Sequence, residues 1–162
     1  MWEGFLVYII KWNMRMEGSD YMLENLEFAV GDSMTIQERV RTKHTGMEYG
    51  TGRLGELLAT PGVVAFMIKA SVELIDAKLP EGYISVATMV HAEHFKPTLI
   101  GEVVSVKVTI NSFDGARIKM DMEAYDEVGL VSKGRMDRYI VSEKSLIKTA
   151  KERAKFLVGT NY

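Results

Sequence analysis

From residue 102 to 113 the chain alternates cleanly, with Val104, Val106, Val108 and Ile110 on one face. That period of two is the mark of a half-buried strand. An Asp114-Gly115 pair then predicts a hairpin turn, and Ala116, Ile118, Met120, Met122 and Ala124 resume the alternation with charges opposite them. Residues 83–95 and 130–142 read as two further strands, the second after a polar turn over 126–129. Upstream, 31–45 reads as a polar, partly exposed strand ending near His44. Residues 46–62 carry five glycines, which is loop chemistry with room for one helical turn over 54–58.

A different period begins at Thr60. Thr60 is placed to cap a helix with its hydroxyl, and Pro61 fits the first helical position, where its missing N–H is not needed. Val63, Val64, Phe66, Met67, Ile68, Ala70, Val72, Leu74 and Ile75 follow, with only Lys69, Glu73 and Asp76 as a charged stripe. A helix apolar nearly all round is a buried one, and Pro80 and Gly82 end it. A last helix over 142–157 places Leu146, Ile147, Ala150, Ala154 and Leu157 on one face, capped by Ser142 or Ser145. The order is strand, buried helix, four antiparallel strands, terminal helix. One long buried helix needs a curved sheet round it, so the expected class is α+β with the hot-dog arrangement.

Composition narrows the partners more than the fold. At 162 residues with 47% apolar, the chain suits one domain with a sizeable core, expected over 28–162. A net charge of −2 with no basic run argues against nucleic acid. There is no cysteine, which removes thiolate nucleophiles and disulfides and fits a cytoplasmic setting. The eleven methionines read as core filler or as the lining of an apolar ligand tunnel. Residues 1–27 form an N-terminal extension, either an edge strand or sequence upstream of a start at Met14 or Met16. The apolar run over 5–10 is far shorter than the ~20 residues that span a bilayer, and the flanks fit a signal peptide poorly. No membrane association is expected.

No phosphate-binding glycine motif is present, so the candidate chemistry lies in VHAEHFKPTLIGE (90–102), which holds His91 and His94. An odd separation on a strand sends the two side chains to opposite faces. They cannot share a metal, and the cysteines and clustered acids of a metal site are missing; no metal is expected. His94 shares a face with Ile84, Val86, Thr88, Val90 and Ala92, the more apolar set, so it points toward the helix while His91 faces outward. On these residues alone a satisfied structural histidine is the simpler reading.

Several blocks together change that reading. GTG…LLATPGVVAFM, SVATMVHAEHFKPTLIGEVV, FDGARIKMDMEAYDE and GRMDRYIV resemble the hot-dog acyl-CoA thioesterases of the fluoroacetyl-CoA thioesterase-like group. The shared features are a Gly-rich loop entering Leu-Ala-Thr-Pro, the strand pattern carried here by Ser85, Thr88 and His94, and Thr98 and Gly101 in the following turn. The Asp114-Gly115 hairpin completes them. The match runs over about 28–142. The resemblance implies a homodimer that takes an acyl-CoA between protomers and needs no cofactor beyond that substrate. It also implies catalytic roles for Thr60 and His94, with Gly62, Val63, Ile68 and Thr88 as oxyanion and substrate contacts. Free N–H groups at Gly62 and Val63, with the helix dipole, suit an oxyanion, and His94 suits general acid–base work.

The departures from the family pattern are as specific as the matches. The family's helix glutamate, eight residues after the threonine, is Ile68 here, and its His-Glu-Arg near the last strand reads Met136-Asp137-Arg138. Either Thr60 and His94 suffice with water, or another acid such as Glu56 or Glu93 reaches the site, or catalysis is lost and the chain is an acyl-CoA-binding or sensing dimer. A hydratase or dehydratase is disfavoured, because a strand rather than a helix follows His94-Phe95. A purely structural domain is the remaining alternative.

Overall fold

The computed structural model describes residues 26–50 and 52–158, so the expectations for the N-terminal extension fall almost wholly outside the described residues. Five strands form one antiparallel sheet: β1 Ser33–Arg39, β2 Tyr83–His94, β3 Val103–Phe113, β4 Arg117–Tyr125 and β5 Leu130–Ser142. Their order across the sheet is β1-β3-β4-β5-β2, which leaves β1 and β2 as edges. Helix α1 (Thr60–Asp76) packs on the inner face and α2 (Glu143–Val158) closes the described chain. This is the α+β hot-dog arrangement expected from the element order.

The core follows the alternation. Val104, Val106, Val108 and Ile110 of β3 are wholly buried, and Ile118, Met120, Met122 and Ala124 of β4 lie beside them. Burying each such aliphatic or methionine side chain stabilises the fold by about 1.5–3 kcal/mol. Against this face α1 buries two residues in every four: Gly62 and Val63, Phe66 and Met67, Ala70 and Ser71, Leu74 and Ile75. The helix is less enclosed than its sequence implies. Val64, Ile68 and Val72 are only half-buried, and Pro61, Ala65, Lys69 and Glu73 are exposed. Lys69 pairs with Glu38 of β1 and lies 3.9 Å from Glu73. The apolar face expected of α2 is likewise little covered by this chain: Leu146 is half-buried, whereas Ile147, Ala150 and Ala154 are exposed. Its cap is Ser142, whose Oγ accepts the Ser145 N–H at 3.4 Å.

The alternation of β2 breaks at a bulge between Ala87 and Met89. One extra residue there reverses which side chains face inward on the two halves of the strand. In the second half Val90, Ala92 and His94 oppose Met136, Gly134 and Ser132 of β5, and these positions face α1. In the first half the inward set is Tyr83, Ser85 and Ala87, opposite Ser142, Ile140 and Arg138. Ile84 and Val86 therefore do not share the face of His94, contrary to the regular-strand expectation, although His94 itself points inward as expected.

The reversal gives a buried arginine its partners. Arg138 is 2% exposed. Its Nε donates to Ser85 Oγ at 2.9 Å, Nη1 to Ser71 Oγ at 3.1 Å and Nη2 to the Ser85 carbonyl. The Ser85 hydroxyl in turn donates to Asp76 at the end of α1. A buried charge is tolerated only when its hydrogen bonds are met, and this chain of contacts ties the C-terminal half of α1 to β2 and β5.

Candidate active site

The entrance to α1 is built by backbone contacts. Thr42–His44 form a short 3-10 turn, and the His44 carbonyl accepts the Ala59 N–H at 2.9 Å. A Cβ on Gly62 would lie 2.5 Å from that same carbonyl oxygen, so only glycine lets the first helical turn seat against it. The leader before the helix is also laid beside the chain that follows β2. Leu58 N–H donates to the Thr98 carbonyl at 2.9 Å, and Ile100 N–H to the Glu56 carbonyl at 2.7 Å. These contacts set Thr60 against the last residue of β2: Thr60 Oγ1 and His94 Nδ1 are 3.3 Å apart.

Thr60 does not cap the helix. It is the first residue of α1, the N-cap is Ala59, and no side chain caps the end. A residue already in helical conformation cannot turn its hydroxyl onto the N–H groups ahead of it as an N-cap does, and the hydroxyl meets His94 instead. Burial pushes the His94 imidazole below its ordinary pKa, opposed in part by a backbone hydrogen bond with Lys96. The ring is therefore neutral at pH 7 and able to accept a proton. Its Nε2 is buried without a partner among the described residues, a state that costs free energy unless water or a ligand group fills it.

Thr60 and His94 open onto a cavity of 670 Å³. Tyr49, Leu54, Leu57, Phe95 and Pro97 give it an apolar wall, and among the described residues Arg53 and Lys96 are the only ones of fixed charge lining it. No carboxylate lines it among the described residues. None of the other expected site residues lines the cavity, although Gly62 is in the same first helical turn as Thr60. Val63 is buried and its N–H is taken by the Ala59 carbonyl at 3.1 Å, so it is not a free oxyanion donor. The correction has a simple cause: the first intrahelical bond runs back four residues, and with Ala59 as N-cap it consumes Val63. Gly62 N–H has no such acceptor among the described residues. Ile68 lies two turns along α1, half-buried against the core and away from the cavity lining. Thr88 sits at the bulge with its hydroxyl 3.4 Å from the Asp137 carbonyl and does not line the cavity. Glu56 does not line it either. Glu93 faces outward with His91 and Lys133, each 3.8 Å away.

Tyr49, Arg53, Phe95 and Lys96 escaped the sequence reading. The signal available was positional: they lie in the Gly-rich leader to α1 and directly after His94. Among the described residues no three histidine, aspartate or glutamate side chains gather as a metal site requires, and no helix is long and apolar enough to cross a membrane.

The family model described as "FlK: Fluoroacetyl-CoA-specific thioesterase" matches residues 40–144. A hot-dog-like protein from Thermanaerovibrio acidaminovorans is 31% identical, with a TM-score of 0.72 over 78% of this chain and 93% of its own. A thioesterase superfamily member from Thermus thermophilus is 26% identical, with a TM-score of 0.72 over 80% of this chain and 97% of its own. A threonine-to-serine mutant of FlK in complex with acetyl-CoA is 22% identical and shares the fold, with a TM-score of 0.73 over 78% of this chain and 98% of its own. No curated protein matches the chain. The family match spans well over half the chain, takes in the Gly-rich leader, α1 and all of β2–β5, and includes both Thr60 and His94. This chain belongs to the FlK thioesterase family.

Proposed function

We propose that the chain hydrolyses a small or medium acyl-CoA thioester, with Thr60 and His94 performing the chemistry. The observation that carries this reading is the 3.3 Å contact between Thr60 Oγ1 and a neutral, half-buried imidazole inside the cavity. His94 takes a proton from water, or from the Thr60 hydroxyl, as the oxygen attacks the thioester carbon. The carbonyl oxygen gains charge at the N-terminus of α1, where the Thr60 and Gly62 N–H groups and the helix dipole stabilise it. The C–S bond then breaks, His94 returns the proton to the leaving thiolate, and the products are a carboxylate and free coenzyme A. If Thr60 is the attacking group, the thiol leaves first and one water then releases the acyl-threonine ester by the same proton shuttle. Water is the only co-reactant.

The lining supports a carrier of this kind. Its apolar wall suits an acyl and pantetheine arm, while Arg53 and Lys96, uncompensated by any lining carboxylate, suit the phosphates of coenzyme A. The mode of assembly we propose is a homodimer. β2 is a sheet edge carrying Met89 and Val90 at 41% and 38% exposure, and such an edge is a template for pairing with a second copy. The half-buried stripe Val64, Ile68 and Val72 on α1 is available to the same contact.

The second reading, an acyl-CoA-binding or sensing dimer, is favoured by Ile68 standing where the family carries a glutamate and by the lack of a lining carboxylate. Thiol release from a panel of acyl-CoAs separates the two. The thioesterase reading expects turnover that Thr60→Ala and His94→Ala each reduce by about 10²–10⁴. Binding without turnover across the panel would sink it in favour of the sensor.

A further inference from the structure

We propose that Thr98 and Asp126 are positioning residues whose hydrogen bond sets Thr60 against His94. The inference rests on the thioesterase reading above. His94 belongs to the sheet, paired across from Ser132 of β5. Thr60 belongs to a different body, the leader into α1, which is joined by Leu58 and Glu56 to residues 98–100. The flap's far end is held at the end of β1, where Gly101 N–H donates to the Val40 carbonyl at 2.9 Å and Arg39 Nη1 to the Gly101 carbonyl. Its tie to the β4–β5 side of the sheet is the Thr98 side chain. Its Oγ1 donates to Asp126 Oδ2 at 3.0 Å, and the residue is 2% exposed.

Asp126 is itself fixed before it reaches Thr98. Its Oδ1 accepts the Val128 and Gly129 N–H groups at 2.9 and 3.1 Å, and its own N–H donates to the Gly129 carbonyl at 3.0 Å. The carboxylate is thus built into the turn between β4 and β5, with one oxygen left for the flap. Thr98 uses two of its polar groups: the hydroxyl holds the sheet, and the carbonyl holds Leu58, two residues before Thr60. Between His94 and Thr98 the only other backbone ties to the sheet run from Phe95 and Lys96 N–H to a single carbonyl, that of Val131, at 3.0 and 3.3 Å. A hydrogen bond to an ionised carboxylate is the strong, directional kind. Here it spans the two bodies that carry the reacting pair.

Misplacing a catalytic group by about 1 Å costs about 10²-fold in rate. Thr98→Val keeps the shape and the carbonyl contact to Leu58 but removes the donor. We expect kcat on the best acyl-CoA to fall about 10–100-fold, with KM changing by less than about threefold. Thr98→Ser restores most of kcat. Asp126→Asn lowers kcat as well, and the double variant is no slower than the worse single one, because both act through one bond. Ile118→Val, a core change at the start of β4 and so at the opposite end of that strand from Asp126, serves as the stability control, and rates are taken well below every variant's Tm. Unchanged kcat in Thr98→Val, a serine variant as slow as the valine one, or additive losses would each overturn the inference.

If the wild type hydrolyses no thioester, the proposed function fails on its own. The bond is then read from the His94 ring resonances by NMR. Thr98→Val shifts them and Thr98→Ser leaves them in place. Identical spectra in the valine variant would overturn the inference.

Discussion

Gly62→Ala sets two opposed effects against one another at the mouth of α1. In an exposed helix interior, replacing glycine by alanine stabilises by about 1 kcal/mol through propensity. Here the new methyl would lie 2.5 Å from the His44 carbonyl oxygen and 2.9 Å from Leu58 Cδ1. Leu58 Cδ1 is the end of a flexible side chain and can yield, but the carbonyl cannot easily retreat. It accepts the Ala59 N–H at 2.9 Å, and the His44 N–H is itself held by Arg41 at 2.8 Å. Overpacking of this kind costs about 1–3 kcal/mol, to which is added strain on the Ala59 hydrogen bond. The sum is a net loss of about 1–2 kcal/mol. For a chain of this length that lowers Tm by about 2–8 °C. Differential scanning fluorimetry of the two proteins at pH 7.5 measures it. The same shift displaces Ala59 and Thr60 from His94, so kcat falls more than KM rises. A variant that melts higher than the wild type would refute the reasoning, because propensity would then outweigh the contact and the helix entrance would be looser than described.

Two further outcomes are expected. Ile68→Glu restores a carboxylate at the family position. If its absence limits the rate, kcat rises by at least about tenfold, and an unchanged or lower kcat in a folded variant shows that Thr60 and His94 work without it. Acidification should destabilise the fold. His44 and His94 both have folded-state pKa values lowered, chiefly by burial, so the unfolded chain binds protons first as pH falls below about 6.5. Their contribution is complete above that value and is lost as pH drops toward the folded pKa values. Tm should decline between pH 7 and 5, less so in His44→Gln, and a flat Tm over that window would contradict the assignment.

The sequence made the sheet legible wherever one face is buried and the other wet, because only that contrast writes a period of two. Val104 to Ile110 and Ile118 to Ala124 were read correctly for this reason. β2 was harder. A bulge leaves no residue signature of its own, and the exposed positions 87–91 carry more apolar side chains than polar ones. The residue pattern alone therefore puts Ile84 and Val86 on the wrong face, while it orients His94, beyond the bulge, correctly. Thr60 and His94 were singled out through several blocks in register rather than through their own neighbours. Arg53, Lys96 and the Thr98–Asp126 bond were not foreseen, because nothing local marks which loop residues meet after the chain has folded. The helix cap was misread for a sharper reason: Ala59 and Thr60 differ by one position, and one position decides whether a hydroxyl faces the helix or the cavity.

The bulge in β2 also makes this strand intolerant of a change that most strand residues survive. Deleting Thr88 would leave a regular strand of apparently better character, with Ile84 and Val86 turned toward α1. It would also turn the Ser85 side chain outward, removing the hydroxyl that accepts from Arg138 Nε and cutting its link to Asp76. A guanidinium short of that partner would then occupy the core beneath the C-terminal half of α1. The single inserted residue works as a phase shifter, letting one strand serve a buried cation at one end and the histidine that meets Thr60 at the other. Length in this strand, more than the identity of its side chains, is what cannot be altered.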